Sequence, residues 1–552
     1  MLARAGWWPD MSLTYRWRAT LVIGLGLLMS ILDITIVSVV LPQIAAGLHA
    51  EYQTTTWIGT GYLLANAAVI PVVGYLSDRI GSKTIFLLAL GAFIVGSALC
   101  AVASSVQALT AFRVFQGIGG GALVPVGMAI IFRLFDPAER AAATSMLMIP
   151  ILLGPAFGPA LGGWLATAAN WNAIFLINLP IGIVAFVLAI LVLRGKTDEQ
   201  EANGNNNVTE KPHFDWLGLV LAIASFTALV FGFTQAGTDG WNAPTVTGGV
   251  LGGGVLLVAF VVVELRVADP VMDIRLFGSY AFTVANVLAW ISSAVFFAGL
   301  FLLPLFFEQV ERLSALETGE VVIGQGLAMA VGLAISGRLY NRMGPRALAM
   351  VGAILVTVSM FGFTRLTVAT TGADLQVWMI LRGLGLGLFI QPLQTLSISV
   401  VSRQQMATAT SLRNSTTTLV NAVGVAVFTS YLTQHATTHL SEATTTCAAQ
   451  SGPSLQQAGL QACIGQQALT LGMNDTFFLA FIGCAICAVA AVFIGSDPAL
   501  QAASDFNSKR AAAEAALSAL QSTPSGQTLG DAKKARNALR DQIDQVETGF
   551  RR

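Results

Sequence analysis

Fourteen runs of mainly apolar residues follow one another along this chain, at 19–41, 54–76, 84–104, 107–131, 141–166, 171–193, 216–237, 246–267, 280–307, 318–340, 346–365, 374–398, 406–432 and 475–495. Each is close to the roughly 20 residues a helix needs to cross a bilayer. Lipid offers no hydrogen bonds to the backbone, so runs of this length leave few folds open. Composition points the same way. Of 552 residues, 55% are apolar and 11% charged, whereas a soluble domain carries about 25% charged residues. Mean hydropathy is +0.71. The expected class is an all-α integral membrane protein. Net charge is zero, which gives no case for a nucleic-acid partner. Arg16 and Arg18 precede the first run without a small-residue cleavage site after a short apolar core, so that run reads as a retained span.

Lys and Arg in the loops set the orientation. With the N-terminus inside, inner loops hold Arg79, Lys83, Arg133, Arg140, Arg194, Lys196, Lys211, Arg266, Arg275, Arg338, Arg342, Arg346 and Arg403, and outer loops only Arg312 and Arg365. Both termini are then cytoplasmic. A long outer loop, 433–474, contains no Lys or Arg and carries Cys447 and Cys463. In an oxidising compartment these two are a candidate disulfide, the alternative being two free thiols.

One inner loop is written twice. Gly74-Tyr-Leu-Ser-Asp-Arg-Ile-Gly-Ser-Lys83 returns 263 residues later as Gly337-Arg-Leu-Tyr-Asn-Arg-Met-Gly-Pro-Arg346. Arg113-Val-Phe-Gln-Gly-Ile-Gly-Gly-Gly and Arg382-Gly-Leu-Gly-Leu-Gly-Leu repeat at a spacing of 269. The economical parse is a cytoplasmic N-terminus (1–16), a six-helix bundle (17–193), a cytoplasmic linker (194–215), two inserted transmembrane helices (216–267), a second six-helix bundle (268–497) and a soluble cytoplasmic tail (498–552). Two six-helix bundles related by a pseudo-twofold repeat are one way transporters build a central site.

Ionisable groups inside a span need a reason to be there. Asp33, about 14 residues into the first run, is the deepest carboxylate. Apolar surroundings penalise its charged form more than its neutral form, so it is a candidate reversible proton carrier; the alternative is a structural hydrogen-bonded group. Arg113 lies a turn or two inside the fourth run. It needs a partner or water, and could hold Asp33 as a carboxylate or reach the interface by snorkelling. For Arg382 snorkelling is the stronger expectation, and Arg413 is close enough to the inner end to do the same.

The fifth run contains Gly154-Pro-Ala-Phe-Gly-Pro-Ala-Leu-Gly-Gly163. Its two Gly-Pro pairs remove backbone donors, and its glycines allow close helix approach. The second half has no such motif at Ser411–Asn421, so a mechanistic role is the expectation. Asp78 and Arg79 are expected to help hold an inner gate; the alternative is simple charge anchoring. Glu317 and Glu320 open the run at 318–340 and read as interfacial charge, with an outer-facing cation site as the alternative. The glycines after Arg113 lie inside an apolar run and form no phosphate loop. No metal motif or nucleophile elbow appears, and all four histidines (His49, His213, His435, His439) fall in loops. An enzyme is not expected, and no cofactor is.

Together these residues resemble the major facilitator superfamily, specifically its fourteen-span drug:proton antiporters. Residues 74–83 (Gly74, Asp78, Arg79, Gly81, Lys83) are similar to that family's inner-loop motif, and Arg113 to Gly121 (Gln116, Gly117, Gly119, Gly120) to its fourth-span motif. Gly154, Pro155, Gly158, Pro159, Gly162 and Gly163 resemble the antiporter motif, and Leu32 to Pro42 the first-span motif of the fourteen-span branch. Ser38 and Ser82 depart from it, where Asn and a basic residue are usual. The resemblance implies export of small amphipathic or toxic compounds by alternating access, driven by the proton gradient, with Asp33 and Arg113 in coupling. It implies a multi-pass protein of the bacterial inner (plasma) membrane whose partners are a small-molecule substrate, protons and the lipid bilayer. In a host with an outer membrane it allows a periplasmic adaptor. The alternatives are a dedicated exporter of one metabolite (an antibiotic, siderophore or lipid-like molecule), an uptake symporter, and a non-transporting membrane sensor.

Overall fold

The computed structural model describes residues 15–50, 52–135, 137–193, 215–402, 405–450 and 457–495, which are largely helical with no strand among them. The linker up to residue 214 and the tail from 496 lie outside the described residues. The main helices are α1 (Tyr15–Gly47), α2 (Trp57–Ile80), α3 (Ser82–Ala101), α4 (Val106–Leu134), α5 (Pro137–Ala168), α6 (Asn178–Val192), α7 (Trp216–Asp239), α8 (Pro244–Glu264), α9 (Tyr280–Gln309), α10 (Ala315–Phe363), α11 (Gly372–Ser399), α12 (Met406–Thr438), α13 (Leu440–Gln450) and α14 (Gln457–Ala490). All fourteen apolar runs coincide with helical structure. Among the described residues, ten helical segments are long and apolar enough to cross a membrane.

The repeated loop is far shorter than its polar sequence suggests. In the first copy α2 runs to Ile80 and α3 starts at Ser82, leaving Gly81 alone between them with φ 101°. In the second copy the helix breaks only at Gly344, φ 74°. Both torsions are in the region a side chain disfavours, so glycine is what lets the chain turn in one residue. The basic residue two positions on has the same task in each copy. Lys83 Nζ donates to the Ile190 carbonyl (3.1 Å) near the end of α6, and Arg346 Nε to the Ile494 carbonyl (2.6 Å) just past α14. Each cation thus satisfies a carbonyl at the end of its own half's last helix.

Glycine contacts show how the halves correspond. A Cβ on Gly117 would meet Tyr62 of α2, and one on Gly383 would meet Gln325 of α10. Gly121 lies on Asn66 and Gly387 on Met329. Gly119 lies on Ala89 and Phe93 of α3, and Gly385 on Gly352 and Val356. The second and third spans therefore repeat at 263 and the fourth at 266. The spacing of 269 that aligns Arg113 with Arg382 is too long by three residues. In the folded register Arg382 stands where the first half has Gln116, and Met379 stands where it has Arg113.

The two halves close on each other at the end carrying the repeated loops. A Cβ on Gly74 would lie 2.7 Å from the Ala407 carbonyl and 2.6 Å from Ser411 Cβ on α12. One on Gly337 would lie 3.0 Å from both the Ala141 carbonyl and Ser145 Cβ on α5. These are mirror contacts, second span of one half on fifth span of the other. Ser411 Oγ donates to the Ile70 carbonyl, and Gln391 Nε2 to the Ala141 carbonyl (2.8 Å). The inserted hairpin α7–α8 attaches at one of these two seams. The Asp215 amide donates to Tyr75 Oη on α2 (3.2 Å), Phe231 stacks on Trp57, and Trp241 Nε1 donates to Ser430 Oγ on α12 (2.8 Å).

The described residues within 433–474 are helical, not an extended loop. α12 continues to Thr438, α13 follows, and α14 begins at Gln457. α13 is rich in Ala and Thr and buries the small side chains of Ala443 and Cys447. Its Thr444, Thr445 and Thr446 hydroxyls bond back to carbonyls four residues earlier, at 2.6, 2.7 and 2.9 Å, so the hydroxyls do not compete with the helix. Cys447 and Cys463 are joined as a disulfide with Cα atoms 6.1 Å apart.

Candidate functional site

Asp33 sits inside the first bundle among three donors from two other helices. Arg113 Nη1 donates to its Oδ2, while Gln116 Nε2 (3.0 Å) and Asn178 Nδ2 (2.8 Å) donate to Oδ1. The donors are themselves held. Arg113 Nη1 also reaches Gln116 Oε1 (2.8 Å), and Ser97 Oγ accepts from Gln116 (2.6 Å) and Asn178 (3.2 Å). The Arg113 guanidinium lies over the Tyr62 ring at 4.1 Å, and Tyr62 Oη meets Ser30 Oγ at 3.2 Å. Asp33 and Arg113 are each 1% exposed. Arg113 does not snorkel; it supplies the opposite charge that a buried carboxylate requires.

The Gly154 segment places this carboxylate. Gly154, Gly158 and Gly162 follow one another every four residues on one face of α5, and α1 lies against that face. A Cβ on Gly154 would lie 3.1 Å from Ile31 Cβ, one on Gly158 2.7 Å from Thr35 Cβ, and one on Gly162 3.2 Å from the Ile36 carbonyl. Thr35 Oγ1 donates to the Gly154 carbonyl (3.2 Å). The backbones of α1 and α5 thus approach most closely on either side of Asp33. The helical backbone includes Pro155, Pro159 and Gly163; the side chains of the two prolines lie outside the described residues. Gly119 and Gly120 of α4 serve the same purpose, with Gly120 against Tyr62 and Ser30.

Of the inner-loop residues, Arg79 lies 4.6 Å over the Tyr75 ring. Asp78 is in the last turn of α2, its side chain outside the described residues. Ser82 accepts from Arg133 Nη1 (2.8 Å) and from Ser77 Oγ (2.9 Å). Glu317 caps a helix: it accepts from the Ser314 amide (2.8 Å) and hydroxyl (2.7 Å) at the start of α10.

Arg382 corrects an expectation. It is fully buried, not snorkelling, and donates to Gln325 Oε1 (2.9 Å) and to the Val295 (3.4 Å) and Phe296 (3.0 Å) carbonyls. Arg413 is also buried, at 7% exposure. The reason is position. Both lie on helices packed inside the bundle, and for Arg382 the Val295 and Phe296 carbonyls are within reach.

Sequence reasoning missed Asn178, Ser97 and Tyr62. They are neutral, and the search followed charge. The signal was present for Asn178, the one amide in the run 171–193 besides Asn172 at its start. It also missed a second acidic pair, Asp215 and Glu264. Both are buried at the inner end of the inserted hairpin, and an ideal Cβ on Gly218 lies against both carboxylates.

Comparison with known proteins fits this geometry. A family model described as Major Facilitator Superfamily matches residues 23–425. A "Multidrug resistance protein B homolog" of Mycobacterium tuberculosis (strain ATCC 25618 / H37Rv) is 34% identical over 420 residues, covering 73% of this chain and 74% of that one. "Multidrug export protein EmrB" of Escherichia coli (strain K12) is 28% identical over 429 residues, covering 77% and 82%. Among solved structures, the human organic anion transporter MFSD10 (TETRAN) superposes with a TM-score of 0.58 at 17% identity, covering 86% of this chain and all of that one. That likeness concerns the fold.

Proposed function

The chain belongs to the Major Facilitator Superfamily, and from that premise we propose that it is a proton-driven exporter of small amphipathic compounds. It is a multi-pass membrane transporter and not an enzyme. Fourteen spans with both termini cytoplasmic, in a bacterial plasma membrane, are part of the proposal, as is the absence of any cofactor beyond the proton gradient. The names of the multidrug relatives support the cargo class. A periplasmic adaptor belongs to the proposal where the host has an outer membrane.

The observation that carries the reading is the buried Asp33–Arg113 pair. Three hydrogen bonds hold the carboxylate, and it is buried. A proton cannot reach Asp33 while the network is intact, and a proton that does reach it removes the charge that holds Arg113 there. Proton transfer and rearrangement of α1 against α4 are then one event. Closure at Gly74 and Gly337 gives that event something to release. Asp33 is protonated from the outer side, the inner gate opens, and the proton leaves inward as substrate loads. In inverted vesicles Asp33→Asn abolishes substrate-linked proton movement. Undiminished coupling in this variant would remove Asp33 from the mechanism.

A further inference from the structure

Far from this network, α12 ends in a second polar cluster. His435 and His439 lie one helical turn apart and face Asp475 on α14. His435 Nδ1 is 2.9 Å and His439 Nε2 2.8 Å from the same oxygen, Asp475 Oδ2. The other nitrogen of His439, Nδ1, is 3.1 Å from Glu442 Oε2 on α13. One ligand atom from each of His435, His439 and Asp475 can be chosen so that all lie within 4.8 Å of one another. The cluster stands about 36 Å along α12 from Ser411, at 1.5 Å per residue, so it belongs to the end opposite the closed seams.

We propose that His435, His439 and Asp475 form a binding site for a divalent transition-metal ion of the zinc class, with Glu442 orienting His439. Two imidazoles and a carboxylate are a donor set suited to that ion, and the fourth position stays open to water. Bonds of 2.0–2.1 Å place tetrahedral ligand atoms about 3.3 Å apart, a few tenths of an ångström beyond the two histidine–Asp475 separations. The surroundings supply the support a metal ligand needs. A neutral imidazole has a single N–H. With an ion on Nε2, His439 keeps its proton on Nδ1 and donates it to Glu442, the carboxylate–histidine arrangement of metal sites. The Tyr431 ring stacks on His435 at 4.0 Å and fixes its plane. The Cys447–Cys463 disulfide ties α13 to α14, the helices that bear Glu442 and Asp475.

The site is also open to entry. Side-chain exposure is 31% for His435, 26% for His439 and 38% for Asp475. An ion here would clamp α12 to α14 directly and to α13 through Glu442, at the outer end of the second half. The site is independent of the cargo proposed above.

The test uses tag-free, full-length protein, stripped with chelator and titrated with Zn²⁺ against a chromophoric competitor. One ion per chain is expected, with a rise in unfolding temperature at saturating Zn²⁺. His435→Ala with His439→Ala removes stoichiometric binding, as does Asp475→Asn, while Glu442→Gln weakens it about ten- to hundredfold. A readout without substitution guards against misfolded variants: in the unaltered protein, Zn²⁺ shields His435 and His439 from diethylpyrocarbonate but leaves exposed His49 reactive. Binding of less than one ion per chain, binding unchanged in a folded double variant, or equal labelling of all three histidines with and without Zn²⁺ would overturn the proposal.

Discussion

Arg113 and Arg382 are both buried on the fourth span of their half, one turn apart in the folded register, and they are neutralised by opposite means. Arg113 meets a full negative charge, Asp33, with Gln116 and Asn178 completing the shell. Arg382 meets a side-chain amide and two backbone carbonyls, with no carboxylate partner among the described residues. The glycine register explains this. A Cβ on Gly158 lies against Thr35, and one on Gly424 against Ala294. Counting back two residues from each contact sets Ser292 where the first half has Asp33. One scaffold, copied, therefore holds a titratable ion pair in one half and a fixed cation in the other. Only the first can change charge with a proton, because a guanidinium stays protonated.

Four experiments would break or sharpen this contrast. The largest effect is expected from Arg113→Met, which strands a buried carboxylate and costs about 3–5 kcal/mol of stability. Adding Asp33→Asn should return a good part of that loss, so thermal unfolding across the four combinations should show strong non-additivity. Additive losses would mean the pair is not coupled. Next, Arg382→Met should cost about 1–3 kcal/mol through its lost hydrogen bonds yet leave the number of protons moved per substrate unchanged in vesicles. A changed ratio would make the two arginines partners in coupling. Gly158→Ala should destabilise by a similar 1–3 kcal/mol through overpacking and should be partly rescued by Thr35→Ala; without rescue, the α1–α5 approach is not what Gly158 provides. The smallest effects belong to the copied cations. Lys83→Met and Arg346→Met should each cost about 0.3–1 kcal/mol, and nearly the same amount if their roles are equivalent.

Much of this contrast is legible in the sequence. Asp33 stands out because a carboxylate in a long apolar run is rare, and the doubled loop announces two halves. What is not legible is register. The arginines are the conspicuous marks in the two fourth spans, and lining them up gives a spacing three residues too long. The quieter glycines carry the true alignment, because each must lie where a neighbouring backbone comes close. Neutral partners such as Ser97 and Tyr62 are hidden for a related reason: hydrogen bonding and ring contacts depend on which helices meet. The helix α13 is hidden because it is rich in Ala and Thr, and the side chains it buries, Ala443 and Cys447, are too small to mark a stripe.

The inserted hairpin makes the two copies unequal in another way. α7 touches α2 near Asp215 and Trp57, and the turn that follows it touches α12 at Ser430, so it roofs the seam where Gly74 meets Ser411. The seam of Gly337 with Ser145 receives no helix from the hairpin. Among the described helices the two mirror seams are thus unequal: one is bridged from outside the twofold repeat and the other is closed by the repeat alone.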